Sequence, residues 1–364
     1  MRYAYWNKRQ EDMVKLPSDT INDRRNWVFS VAKFFGVWGY KYLAKPHVEC
    51  YDDLAALKKE GAVFLYTGLH KSLWETSGLL AALHLEKLEI PHVGMGDNLV
   101  RGRFFQSLAR KAGIFLIKRA TTRKEIVESA KALKDYIIHY MAHGVDVLFF
   151  PEGTRKSILT EGTYGKFFPT AFEAVLEYEK NKEHIQALHQ GLPAYNAYII
   201  PTNVDYSRVR EDRELLEEYR KARTLHVLDS LKMIKKIRDT YITFGKPIKV
   251  ANHLGKNRKE LAIYSREKCL ELVKILPINV VSQAILDSLR GDRVRLDNIE
   301  ENITRIIQGL SRLKERFRGF SPDDHPDALL KKVSQYESTF KPRYIDSQYK
   351  PLYQLYANYI RHYL

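Results

Sequence analysis

Four apolar runs of strand length, each followed by a turn and a helix-like stretch, constrain this chain more than any other feature: AVFLY (62–66), GIFLI (113–117), VDVLFF (145–150) and AYIIPTNV (197–204). Runs this short and uniformly apolar suit strands buried on both faces, and alternation with helices implies crossover connections. The pattern predicts an α/β fold with a mostly parallel central sheet flanked by helices. Between the runs, KSLWETSGLLAAL (71–83) and TRKEIVESAKALKDYIIHYMAHG (122–144) read as helices, the second closing on Gly144 as its C-cap. In open sheets of this kind ligands bind beyond the carboxyl ends of the strands. That rule selects His70, Lys118 with Arg119, Glu152 to Arg155, and Pro201 to Tyr206 as the residues placed for chemistry.

The 364 residues, 45% of them hydrophobic, suffice for one such domain of about 200 to 250 residues with appendages at both ends. Sixty Lys and Arg against 44 Asp and Glu leave a formal charge of +16, so anionic partners are expected: phosphates, nucleic acid or a membrane surface. The basic residues form no aromatic-interleaved platform or recognisable binding motif, which argues against nucleic acid. Cys50 and Cys269 stand far apart without CxxC spacing, which argues against a disulfide framework or a metal knuckle and fits a reducing compartment.

No uncharged apolar run of about 18 residues is present, and MRYAYWNKRQEDM lacks the apolar region of a signal peptide, so neither is expected. The aromatic segment NWVFSVAKFFGVWGYKYL (26–43) has two readings: a membrane-interfacial helix with snorkelling lysines, or a helix packed on the main domain. Beyond residue 251 the helices become dense in charge, as in IEENITRIIQGLSRLKERFRG (299–319). In the last segment Tyr349, Tyr353, Tyr356 and Tyr363 share a helical face, directed either at lipid headgroups or at the main domain. The expected organisation is an N-terminal helical segment (1–50), a catalytic domain (51–290) and a C-terminal helical extension (291–364).

FFPEGTRKS (149–157) combines a strand end, a proline that stops the ladder, a glycine that lets backbone approach a ligand, and an Arg-Lys pair. Arg155 is suited to fork onto two phosphate oxygens, Gly153 and Thr154 to present backbone N–H groups, and Lys156 to add a point charge. Taken singly, this stretch also fits a charged surface turn. His70 alone fits a loop histidine bonded to backbone, and Glu75 a first-turn acid favoured by the helix dipole. None of these separate readings accounts for the basic turns that follow the other strands.

Taken together, HKSLWE (70–75), GIFLIKR (113–119), FPEGTRKS (150–157) and IPTNVDYSRVRE (200–211) resemble, in order, the four blocks of the glycerolipid acyltransferases. The resemblance is closer to the glycerol-3-phosphate and dihydroxyacetone-phosphate branch than to the shorter lysophosphatidate branch. FGKPI (244–248) is similar to the family's late strand and PINVVSQAIL (277–286) to the helix that follows it. The resemblance spans roughly residues 60 to 290. It implies acyl transfer from acyl-coenzyme A or acyl carrier protein to the 1-hydroxyl of sn-glycerol 3-phosphate, with no bound cofactor or metal. It also implies a peripheral position on the cytoplasmic face of a membrane, against its anionic surface. Alternatives are a lysophosphatidate or other lysophospholipid acceptor, or a non-catalytic lipid-surface-binding homologue.

The residues suit that chemistry. A hydroxyl attacks a thioester slowly unless a base near neutrality takes its proton, and a histidine does so only in the correct tautomer. With His70 in the turn after the strand and Glu75 in the first helical turn, the carboxylate can fold back and hold one ring N–H. The resemblance further implies that Arg155, with Lys118 or Arg119, binds the acceptor's phosphate. By the same resemblance, Pro201 and Tyr206 shape the wall between the acceptor and acyl pockets. Glu152 either hydrogen-bonds the free acceptor hydroxyl or fixes the loop by accepting backbone N–H groups. Two departures stand out: the family usually has aspartate where Glu75 stands, and Asp205 and Ser207 replace a small residue and an acid in the fourth block.

Overall fold

The computed structural model describes residues 40, 44–50, 53–100, 102–119, 121–154, 162–188, 193–209, 211–221, 239–290, 293–294, 298–336 and 349–364. Most of the aromatic segment 26–43, together with Arg155, Lys156 and Tyr344, lies outside these residues.

In chain order the strands of the main sheet are β1 (Lys45–Glu49), β2 (Ala62–Gly68), β3 (His92–Gly96), β4 (Ile114–Ile117), β5 (Val147–Phe149), β6 (Asn196–Tyr206), β7 (Asp239–Phe244) and β8 (Ile248–Lys249). The sheet runs β1-β7-β6-β2-β5-β3-β4, with β8 also pairing with β6. From β6 to β4 every pairing is parallel, whereas β7 and β8 lie antiparallel to β6. The four apolar runs become β2, β4, β5 and β6, and β2 is buried along its whole length, as a parallel strand covered on both faces must be.

The main helices are α1 (Leu54–Lys59), α2 (Glu75–Leu85), α3 (Arg103–Lys111), α4 (Arg123–Ala142), α5 (Thr170–Leu188), α6 (Asp212–Lys221), α7 (Arg258–Leu270), α8 (Pro277–Asp287), α9 (Ile299–Gly309), α10 (Pro326–Tyr336) and α11 (Lys350–Asn358). Helix α4 opens on a capping box in which the Thr122 hydroxyl accepts the Glu125 N–H and the Glu125 carboxylate accepts the Thr122 N–H. It closes at Gly144, whose φ of +68° suits glycine and whose missing Cβ would lie 2.5 Å from the Tyr195 ring. Helices α4 and α5 pack together, and α7 packs on α5 and β6.

Several expectations are corrected. The helix expected from residue 71 begins only at Glu75, because 70–74 are held as a loop by bonds described below. FGKPI is the corner between β7, which ends at Phe244, and β8, which starts at Ile248. The charged helix 299–319 stops at Gly309, and a 3-10 turn with non-helical φ at Leu313 follows. At the C-terminus, α11 packs on α8 with Tyr353 and Tyr356 buried, while Tyr349 and Tyr363 are half-buried.

Candidate active site

The site lies where the rule for open sheets places it, just past the carboxyl ends of β2, β5 and β6. Strand β2 ends at Gly68, and the loop 69–74 turns the chain into α2. Here His70 Nδ1 meets Glu75 Oε2 at 2.7 Å, and the Lys71 N–H donates to Glu75 Oε1 at 2.5 Å. Glu75 is fully buried, while His70 keeps 19% of its side chain exposed. Helix α2 has no side-chain N-cap, because Trp74 stands at that position and an indole offers no acceptor, while the carboxylate of its first residue points back into the loop.

Both Glu75 oxygens thus act as acceptors, the pattern of an ionised carboxylate facing a protonated Nδ1, which makes Nε2 the ring nitrogen that carries no proton. Burial pushes the Glu75 carboxyl well above the usual carboxylate range, and the Lys71 N–H and the Lys71 charge pull the other way. The ring itself is clamped by stacking on Phe150, with centroids 4.6 Å apart.

Glu152 fixes the opposite side of the loop. One oxygen accepts the His70 N–H at 2.9 Å and the other the Gly165 N–H at 2.8 Å. With both oxygens on backbone donors, the geometry favours loop fixation over a bond to the acceptor hydroxyl. Burial pushes this carboxyl up to about 7, against the two backbone bonds that lower it.

The FPEG turn differs from the sequence reading in its use of backbone. The Gly153 N–H closes the turn onto Phe150 O at 3.2 Å instead of facing outward. Gly153 O accepts Arg119 Nη2 at 3.0 Å, and Arg119 Nε reaches Asn98 Oδ1 at 3.3 Å. The exposed guanidinium is thereby aimed along the rim of the turn, where a phosphate can reach it. Lys118 is directed elsewhere: its ammonium pairs with Glu125 at 3.0 Å, 61% exposed. Thr154 is half-buried beside Gly153, and Arg155 is not among the described residues. Pro201 sits within β6 opposite Thr67, its carbonyl accepting the Gly245 N–H, and Tyr206 is buried at the end of the same strand. Neither offers a charge.

A second layer was not singled out from sequence. Lys71, 1% exposed, donates from Nζ to Asn203 Oδ1 at 2.8 Å and to Asp205 Oδ1. The rings of Tyr164 and Tyr359 lie 5.4 and 5.5 Å from the same nitrogen. Glu211 accepts the Ser72 hydroxyl at 2.9 Å and the Leu73 N–H at 2.5 Å. Residues 70–73 therefore hang between Glu75, Glu152, Asp205 and Glu211, four buried carboxylates from three parts of the chain. The available signal was Asp205 itself, an acid where the fourth block usually has a small residue, with a lysine next to the histidine that it neutralises. Cys269 is buried below, its thiol pushed up to about 12 by desolvation and so unsuited to act as a nucleophile. Among the described residues no cluster of three or more His, Cys, Asp or Glu could hold a metal ion.

Residues 47–204 match the acyltransferase family model. The glycerol-3-phosphate acyltransferase of Pseudoalteromonas translucida is 23% identical over 259 residues, covering 68% of this chain and 29% of that protein. The glycerol-3-phosphate acyltransferase of Haemophilus ducreyi is 26% identical over 264 residues, covering 70% of this chain and 30% of that protein. The chain thus spans less than a third of the length of these relatives. The solved 1-acyl-sn-glycerophosphate acyltransferase PlsC of Thermotoga maritima aligns at 14% identity and a TM-score of 0.36, over 72% of this chain and 85% of that one. The segment that matches the acyltransferase family model runs from β1 into β6 and carries three of the four post-strand turns in full.

Proposed function

We propose that the chain transfers a fatty acyl group from an acyl thioester, acyl-coenzyme A or acyl carrier protein, to the 1-hydroxyl of sn-glycerol 3-phosphate. The observation that carries this reading is the 2.7 Å contact between His70 Nδ1 and the buried Glu75, made beside an arginine held at the FPEG turn. Glu75 holds the Nδ1 proton, so Nε2 takes the acceptor's hydroxyl proton as oxygen attacks the thioester carbon. The tetrahedral intermediate then expels the thiolate, which leaves readily and takes the proton from His70 Nε2, restoring the base. Arg119 binds the acceptor's phosphate, joined in this reading by Arg155. Glu152 and Glu211 keep the His70 loop in place, and the stacked Phe150 fixes the plane of the ring.

The acceptor follows the printed names of the relatives and the closer branch of the resemblance. The test is acyl transfer by purified protein with glycerol 3-phosphate, dihydroxyacetone phosphate and lysophosphatidate side by side, for wild type and His70→Ala. Turnover of the first acceptor that disappears in a folded His70→Ala variant is expected. Equal transfer by both proteins ends the general-base assignment, and exclusive use of lysophosphatidate ends the choice of acceptor.

A further inference from the structure

Strand β4 is one edge of the sheet, and α3 brings the chain to it from β3. No residue of α3 is buried. Phe104 is 73% exposed, and Phe105 and Leu108 are exposed too, Leu108 lying four residues on from Phe104 and three from Phe105 and so beside both on the helix. The first turns of α4 add exposed Ile126 and Val127, and Phe168 adds a further exposed ring. These six account for most of the large exposed hydrophobic side chains among the described residues.

Charge along α3 and the strand that follows it has one sign, while Glu125 and Glu128 flank Ile126 and Val127 on α4. From Asn98 to Lys124 the chain carries eight Lys and Arg and not one Asp or Glu. Arg103, Arg110 and Lys111 on α3 are all exposed. The patch is also continuous with the site. Phe168 N–H donates to Pro151 O at 2.9 Å, and its ring lies 3.4 Å from where a Cβ on Gly153 would stand. At the other end, Arg119 binds Asp97 and Asn98, the residues that lead into α3, while also holding Gly153 O.

We infer that this edge is the surface by which the chain docks on an anionic phospholipid bilayer, with Phe104, Phe105 and Leu108 inserted among the acyl chains and the flanking cations on lipid phosphates. The exposed rings of α3, flanked on that helix by Arg103, Arg110 and Lys111 and by no acid, match a layer that is anionic outside and apolar within. Docking there sets the FPEG turn and Arg119 at headgroup depth, so that an acylated product can leave sideways into lipid. That consequence rests on the proposed acyl transfer, but the docking does not, and the assay reads binding without turnover.

The experiment is co-sedimentation of the full chain with vesicles of phosphatidylcholine alone or with about one-third phosphatidylglycerol. Wild type is compared with Phe104→Ser/Phe105→Ser/Leu108→Ser and with Arg103→Gln/Arg110→Gln/Lys111→Gln. Thermal unfolding checks the fold, and turnover of a water-soluble short-chain thioester checks the site. Wild type should bind the anionic vesicles, weakly at high salt, and bind the neutral ones little. Each lost cation should lower binding about fivefold, so the triple glutamine variant should bind about a hundredfold more weakly with short-chain turnover intact. The triple serine variant should lose binding at any salt concentration. Wild-type binding by both variants overturns the proposal, as does equal binding to neutral vesicles. A wild-type dimer that the serine variant breaks, without vesicle binding, reassigns the face to a second copy and also overturns it. Loss of short-chain turnover in wild type, with binding intact, refutes the acyl-transfer reading alone.

Discussion

Replacing Glu75 by glutamine tests the tautomer argument directly. The wild-type carboxylate meets two donors at once, Nδ1–H of His70 at 2.7 Å and the backbone N–H of Lys71 at 2.5 Å. An amide offers a single acceptor oxygen. If that oxygen faces His70, an NH2 group confronts the Lys71 N–H, and a buried donor is left unsatisfied at about 1 to 3 kcal/mol. If it faces Lys71, the NH2 donates to Nδ1 and every bond is made, but the proton then sits on Nε2. The second orientation is lower in free energy and is the inactive one. We therefore expect kcat to fall by about 10³ to 10⁴-fold, the scale on which a histidine base loses its tautomer partner, with KM for both substrates nearly unchanged. Stability should hold or rise, since a desolvated acid has been removed. Glu75→Asp retracts the carboxylate by one methylene, and misplacement of about an ångström is expected to lower kcat about a hundredfold. Steady-state kinetics beside thermal unfolding separate these outcomes. A Glu75→Gln enzyme within about threefold of wild-type kcat refutes the reasoning.

Lys71→Met strands Asp205 in the interior and should destabilise by about 3 to 5 kcal/mol, whereas Lys71→Met/Asp205→Leu should recover most of that in denaturant unfolding; no recovery would show that the pair is not the cause. Glu152, raised to about 7 by burial, binds its proton more tightly folded than unfolded. Its contribution is therefore fully present below about 4.5 and is lost as pH rises towards 7, a drift of roughly 3 kcal/mol that Glu152→Gln should remove. A wild-type advantage over Glu152→Gln that stays constant between pH 5 and 8 contradicts the assignment. Gly144→Ala forces a side chain into φ +68° and against the Tyr195 ring, and should lower stability by about 2 to 4 kcal/mol in the same assay; a loss of only about 1 to 2 kcal/mol means that Tyr195 moves away freely, and a neutral change contradicts both costs.

Legibility from sequence followed the physics of each element. β2 and β6 are central strands, and burial on both faces made them continuous apolar runs that stand out at once. β1 (KPHVE) is a polar edge strand, and β3 (HVGMG) carries two glycines, so neither has the composition that marks a strand. The antiparallel turn of β7 and β8 onto β6 depends on a corner at Gly245, where the absence of a Cβ leaves room for Leu272 and Pro201. At the site, His70, Glu75 and Arg119 were reachable because each follows a strand end. Lys71 was not, because its partner Asp205 is 134 residues away and a lysine in a loop reads as solvated until its burial is seen. Gly153 was assigned an outward N–H, yet a turn this tight needs that donor for itself.

The two departures from the family pattern are joined through Lys71. A glutamate has one more rotatable bond than the usual aspartate, and freezing it loses up to about 2 kcal/mol of side-chain entropy, so Glu75 holds His70 less rigidly unless something else limits its swing. The Lys71 N–H does so by engaging the second carboxylate oxygen, but only if residue 71 is itself immobile. Asp205 supplies that immobility: with Asn203 it holds the Lys71 ammonium, while Tyr164 and Tyr359 close over it from two sides. Tyr359 in turn follows α11, whose Tyr356 hydroxyl donates to Asp212 and accepts the Val209 N–H, next to the Glu211 that pins Ser72 and Leu73. A longer acid in the first block thus calls for an acid in the fourth, and the C-terminal segment completes the cage.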